Sequence, residues 1–97
     1  MKALKKSTVE ELIEVADTGE LDKMVGILVS LDNEQLAEMR ALTWMAKDKD
    51  TPKHWEALVI EARSRIDDQT ARFIATMPDL ADTLRKGLEL MEASGRI

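Results

Sequence analysis

The stretch 36–46 constrains the fold most, because its apolar residues occupy two faces of one helix. At about 100° per residue they form two stripes: Ala37, Ala41, Trp44 and Met45, and Leu36, Met39, Leu42 and Ala46. The polar residues between the stripes include Arg40 and Glu38. A helix that is apolar on two faces needs packing partners on both. We therefore predict a central helix at about 33–47 with other helices packed around it.

The composition favours one small all-α domain. A chain of 97 residues suits a single hydrophobic core. Apolar residues make up 44% and only three are aromatic, so the core consists mainly of aliphatic residues and Met, most of which form helices well. The chain has no Cys and therefore no disulfide, thiolate nucleophile or sulfur-ligated metal, which favours a cytoplasmic location.

Helix start and stop signals divide the chain into five to six short helices, at about 8–18, 20–31, 33–47, 52–66, 69–76 and 78–93. Ser7 with Glu10 and Asp32 with Gln35 have the pattern of capping boxes. Thr51 precedes Pro52 as an N-cap. The domain organisation predicted is a basic N-terminal tail at 1–6 and a single helical domain at 7–97, compact and bundle-like.

The same periodicity predicts which side chains are buried outside the central helix. In the second helix Ile27 and Val29 widen the apolar face, and close packing against another helix would explain Gly26. In the short fifth helix the buried residues are Phe73, Ile74 and Met77.

Residues spread over 28–91 resemble a small bacterial family catalogued as domain of unknown function 3775. The positions that carry the resemblance are Trp44, His54-Trp55, Ala62-Arg63, Phe73-Ile74, Pro78 and Gly87-Leu88. Ala46-Lys47-Asp48 stands where the family tends to have a glycine-rich basic turn, and Phe73 stands where it tends to have tyrosine. The resemblance implies a helical fold and no particular activity.

The candidates for catalysis and metal binding are weak. His54 is the only histidine, and no partner nucleophile or second titrating group accompanies it at a fixed spacing, so a surface or capping role is the favoured interpretation. Asp48 and Asp50 lack the glycine and closing glutamate of a calcium loop. We expect no cofactor and no metal, and an enzyme using His54 is the least favoured hypothesis.

The acidity is concentrated at 7–22, which has six acids and no base in a chain of net charge −5. Glu10, Glu11, Glu14 and Asp17 form a negative surface on the first helix that either keeps the protein soluble or docks on a basic partner. Trp55 lies near a helix start beside a charged loop, and we expect it to be partly exposed and to anchor an interface.

From these features we predict a non-enzymatic protein-interaction or regulatory module. Its partner is another protein or a second copy of the chain in a homodimer. The alternative is a phage-type inhibitor, anti-CRISPR or otherwise anti-defence, whose acidic helix blocks a basic nucleic-acid-binding surface. Direct nucleic acid binding is not expected from an acidic chain. No apolar run approaches the length of a membrane span, and no signal peptide is predicted.

Overall fold

The computed structural model describes residues 1–48 and 51–96, and within them it confirms the predicted all-α domain. The described residues form six α-helices, which are α1 Lys6–Thr18, α2 Leu21–Val29, α3 Asn33–Lys47, α4 Trp55–Ser64, α5 Thr70–Ala75 and α6 Leu80–Ala93. A 3₁₀ turn, Pro52–His54, leads into α4. None of the helices in the described ranges is long and apolar enough to cross a membrane.

Helix α3 is the centre of the packing, as its two apolar stripes predict. Eight of its residues are buried, and α4 and α6 make the most extensive contacts with it. Its start is closed by the predicted capping box, in which the amide of Gln35 donates to the Asp32 carboxylate at 2.8 Å. In return the amide of Asp32 donates to the Gln35 side-chain oxygen at 3.0 Å.

Helix α1 begins earlier than predicted, and the Ser7–Glu10 capping box is wrong. Lys5 occupies the N-cap position and makes no side-chain capping bond. Its carbonyl accepts from the amides of Thr8 and Val9, which starts the first turn directly after the buried Leu4. The helix therefore begins next to the buried Leu4 and has no polar side-chain cap. The left-handed Gly19 (φ 72°) closes the other end, as expected.

Residues 1–5 lie against α3, where they bind a buried carboxylate. Glu38 is only 4% exposed, and its two carboxylate oxygens accept from the main-chain amides of Lys2, Ala3 and Leu4 at 2.9, 3.0 and 2.6 Å. An ionised carboxylate is a strong acceptor for amide groups, so one side chain of α3 fixes the path of the whole segment.

The second half of the domain follows the predicted order with shorter helices. The Thr51 hydroxyl accepts from the amide of Lys53 at 3.1 Å, as an N-cap before Pro52 should. Lys47 at the end of α3 donates to Asp79 before α6 at 2.9 Å, and this hydrogen bond holds the pKa of Asp79 below its ordinary value. The charged loop predicted after α3 continues through Lys49 and Asp50, which lie outside the described residues.

Three large apolar residues of α2 and α5 are exposed. Val29 is 64% exposed, Phe73 56% and Leu21 45%. Helix α2 has nine residues and buries only Met24 and Leu28, while α5 has six and buries the opposite side from Phe73. The expected burial of Val29 and Phe73 is therefore wrong, whereas that of Ile74 is confirmed and Met77 is partly buried.

Close helix packing occurs at a different glycine from the one expected. A β-carbon at Gly26 would have no neighbour within 4 Å. At Gly87 of α6 it would lie 2.7 Å from Cγ of Leu42 and 3.1 Å from that residue's carbonyl oxygen. The backbones of α3 and α6 thus approach each other closely at Gly87, where there is no room for a side chain.

Candidate protein-binding surfaces

The acidic face of α1 is reduced to three residues. Glu10, Glu11 and Glu14 are exposed and make no ion pair with any residue in 1–48 or 51–96; we call them the acidic triad. Asp17, the fourth residue predicted, instead pairs with Arg85 of α6, which also binds Asp82 at 3.1 Å. Asp17 therefore ties α1 to α6.

The nearest base on α1 does not neutralise the triad by an ion pair. Lys6 pairs with Glu92 of α6 at 2.5 Å, and this hydrogen bond is the main reason that the pKa of Lys6 is raised above its ordinary value. The two ion pairs of α1, at Lys6 and at Asp17, both go to α6. They leave the outward side of α1 negative.

Trp55 is buried, at 5% exposure, so the expected partial exposure is wrong. It is the first residue of α4, whose main packing partner is α3, and it belongs to the hydrophobic core. The first residue of a helix can be buried when the helix packs on the core from its first turn, as α4 does after the 3₁₀ turn. Trp55 thus has a clear role in packing.

His54 lies at the surface, as the last residue of the 3₁₀ turn. In residues 1–48 and 51–96 no group of three or more His, Cys, Asp or Glu side chains is arranged to hold a metal ion. Of the two aspartates weighed as calcium ligands, Asp48 is exposed, while Asp50 is outside the described residues.

A groove of about 480 Å³ lies between residues 1–3 and α4. Its lining includes Glu38, whose carboxylate is already bound to three amides, and the bidentate pair of Glu34 with Arg63 at 2.5 and 2.8 Å. That pair raises the pKa of Arg63 above its ordinary value. His54 is not among the lining residues, and the hydrogen-bonding capacity of these three charged groups is largely used within the chain.

A cluster of one arginine and two aromatic rings, which sequence reasoning missed, lies on the surface formed by α3 and α5. Cζ of Arg40 lies 5.3 Å from the centre of the Trp44 ring and 5.1 Å from that of Phe73. Both distances are within the range of cation–π attraction. We call Arg40, Trp44 and Phe73 the aromatic cluster. The i, i+4 spacing of Arg40 and Trp44 is a signal for the first contact, whereas no local pattern connects either residue to Phe73.

The exposed apolar residues Leu21, Val29 and Phe73 come from two helices that contact each other, α2 and α5. A single exposed apolar side chain is ordinary on a protein surface. Of the four large apolar side chains exposed in the described ranges, three lie on this one pair of packed helices, including the only phenylalanine of the chain. We call Leu21, Val29 and Phe73 the apolar surface.

The comparisons with known proteins identify a family for this chain but indicate no activity. No curated protein and no solved structure matches the chain. One family model matches residues 21–93, which include α2 to α6 and therefore the apolar surface and the aromatic cluster, but not the acidic triad. Since the match covers most of the chain, the protein belongs to the family described as Protein of unknown function (DUF3775).

Proposed function

We propose that the protein is a non-enzymatic protein-interaction domain that acts in the cytoplasm and binds its partner through the apolar surface on α2 and α5. The observation that carries this proposal is Phe73, an aromatic side chain that is 56% exposed while lying against an arginine. The cores of protein interfaces are enriched in aromatic residues and arginine, and a few such residues carry most of the binding energy.

The surroundings of Phe73 support a binding role. Leu21 and Val29 are exposed on α2, and Cζ of Arg40 lies 5.1 Å from the centre of the Phe73 ring. A cation–π contact that favours one position of the ring lowers the conformational entropy that the ring loses on binding. The family model covers both helices, so the proposed surface belongs to the part of the chain that the family shares.

We expect Phe73→Ser to weaken partner binding about 30-fold, which corresponds to a hot-spot loss of about 2 kcal/mol. The matched control is Ile60→Ser, because Ile60 is 62% exposed on α4, away from the helix pair. A photo-crosslinking amino acid at Val29 identifies the partner in the cells that express the protein. Titration of the purified partner with the two variants then gives the affinities.

Equal binding by the two serine variants would contradict the proposal. If the crosslinked partner is a second copy of this chain, the proposal takes its homodimeric form. Sedimentation should then show a dimer for the wild type and for Ile60→Ser, and a monomer for Phe73→Ser. Thermal unfolding of both variants checks that the fold is retained, and we expect little change because both side chains are largely in water.

The acidic triad supports a second candidate function, that of an inhibitor which occupies a basic nucleic-acid-binding surface. Three exposed carboxylates without ion-pair partners in the described part of the chain can imitate a row of phosphates. Such binding would depend strongly on ionic strength, whereas binding through the apolar surface would change little.

Reversal of the triad, Glu10→Lys with Glu11→Lys and Glu14→Lys, tests this second function. We expect it to abolish competition with a labelled DNA duplex for purified nucleic-acid-binding proteins, measured by fluorescence anisotropy at low and moderate salt. The control reverses three acids elsewhere, Glu56, Asp68 and Glu89, and changes the net charge equally. Equal effects of the two triple variants, or no competition by the wild type, would refute the inhibitor role.

A further inference from the structure

We infer that Arg40 binds a carboxylate of the partner that docks on the apolar surface. This carboxylate belongs to an Asp or Glu side chain. This inference rests on the proposed function, since it names the chemistry of the partner at that surface. It is carried by the geometry of the aromatic cluster and by the hydrogen bonds that Arg40 does not make.

The cation–π contacts do not satisfy the hydrogen-bond donors of Arg40. A guanidinium carries five N–H donors, and neither the phenyl nor the indole ring has a lone-pair acceptor for them. Arg40 is half-buried, and its Nε is fully buried without a hydrogen-bond partner. Its two Nη atoms have no acceptor in residues 1–48 or 51–96, and they are not fully buried.

Arg40 differs in this respect from three other arginines of the domain. Arg63 binds Glu34, Arg65 binds Glu61, and Arg85 binds Asp17 and Asp82. The chain has 19 acids and 14 lysines and arginines, yet none of the acids in the described ranges lies within ion-pair distance of Arg40. An arginine that lies near two rings and has no carboxylate partner in the described ranges is suited to receive one from outside.

A carboxylate fits this position better than other anions do. Its two oxygens match a pair of guanidinium N–H groups, and each such bond is strengthened where water is partly excluded. The exposed ring of Phe73 provides an apolar contact beside the charge. A nucleic acid is disfavoured because the chain has a net charge of −5. The expected ligand is therefore an acidic residue flanked by apolar ones.

The test uses the blocked tripeptide acetyl-Leu-Glu-Leu-amide, with acetyl-Leu-Gln-Leu-amide as its neutral counterpart. We expect the glutamate peptide to shift the Nε–Hε resonance of Arg40 and the indole N–H resonance of Trp44 in a saturable way in NMR titrations. The glutamine peptide should bind about tenfold or more weakly, because it lacks the charge that makes the bidentate bond strong. Inorganic phosphate at equal ionic strength should produce no saturable shift.

Arg40→Lys is the decisive variant, because it keeps the positive charge and removes the planar pair of donors. We expect it to weaken glutamate-peptide binding about tenfold, followed through the indole N–H of Trp44, with thermal unfolding as the check on folding. Equal binding of the Glu and Gln peptides, a saturable shift with phosphate, or full binding by Arg40→Lys would each overturn the inference.

The peptide test of Arg40 and the Phe73→Ser test of the proposed function can fail independently of each other. If Phe73→Ser leaves partner binding unchanged while the glutamate peptide still binds Arg40, the carboxylate receptor exists and the proposed interface fails. If Phe73→Ser abolishes partner binding and the peptide does not bind, the interface is apolar and the inference about Arg40 is wrong.

Discussion

Glu38→Ala is expected to lower the free energy of unfolding by about 3 kcal/mol. Its carboxylate accepts three main-chain amides, from Lys2, Ala3 and Leu4, and the last of these belongs to a buried residue. Alanine leaves these donors without an acceptor and opens a space beside α3. A hydrogen bond to a charged group contributes about 1.5–3 kcal/mol, and water replaces part of that at the exposed end of the segment.

Two further variants show whether the charge or the contact matters. Glu38→Gln keeps one acceptor oxygen but brings an NH₂ group towards the amides, so we expect an intermediate loss. Glu34→Ala removes an exposed glutamate of the same helix, whose ion pair with Arg63 lies at the surface, and should cost much less.

Urea denaturation gives the free energies, and hydrogen exchange at the amides of residues 2–4 reports on the segment itself. We expect fast exchange at all three amides in Glu38→Ala. A loss no larger than that of Glu34→Ala would show that the amides find other acceptors.

Gly87→Val is expected to cost about 2–3 kcal/mol, because α3 and α6 approach each other at this position. A β-carbon there would already lie 2.7 Å from Leu42, and the γ-methyl groups of valine have still less room. Leu42 is fully buried, so it cannot move into solvent to make space. The two helices must separate, and the contacts along both are weakened.

Gly26→Val is the matched control, because it makes the same change in a helix at a position with open space. It should leave stability within about 0.5 kcal/mol of the wild type, since valine is somewhat better than glycine in a helix. Combining Gly87→Val with Leu42→Ala should cost less than the sum of the single changes, measured by thermal unfolding. Additive losses, or equal effects at the two glycines, would show that the close approach is not the cause.

The local sequence pattern is sufficient to predict most of the helices. Asp32 with Gln35 and Thr51 before Pro52 mark helix starts through bonds that span only a few residues, and both form as expected. The two apolar stripes likewise establish α3 as the central helix, because a helix of that kind is stable only when it is covered on both faces. These features depend on neighbours in the chain, which the sequence shows directly.

The exposure and pairing of the surface residues could not be predicted from the local sequence pattern. Phe73 follows the helical periodicity of a core residue, yet α5 is too short to be covered on that side, and the ring remains exposed beside Arg40. Trp55 shows the reverse, since a residue at a helix start becomes buried where α4 turns onto α3. Asp17 belongs to the acidic stripe of α1 but is paired with Arg85. In each case the deciding neighbour is remote in the chain.

The amino-acid order of this protein thus specifies six helices and the one that the others cover, since hydrogen bonding and amphipathic spacing act over one or two turns. The assembled domain settles which charges are neutralised and which apolar groups stay in water. Glu38 holds amides 34 to 36 positions away, while Arg40, two residues further on, meets a ring of α5 and no carboxylate among the described residues. Such contacts follow from the packing of helices in three dimensions, where adjacent residues face different neighbours.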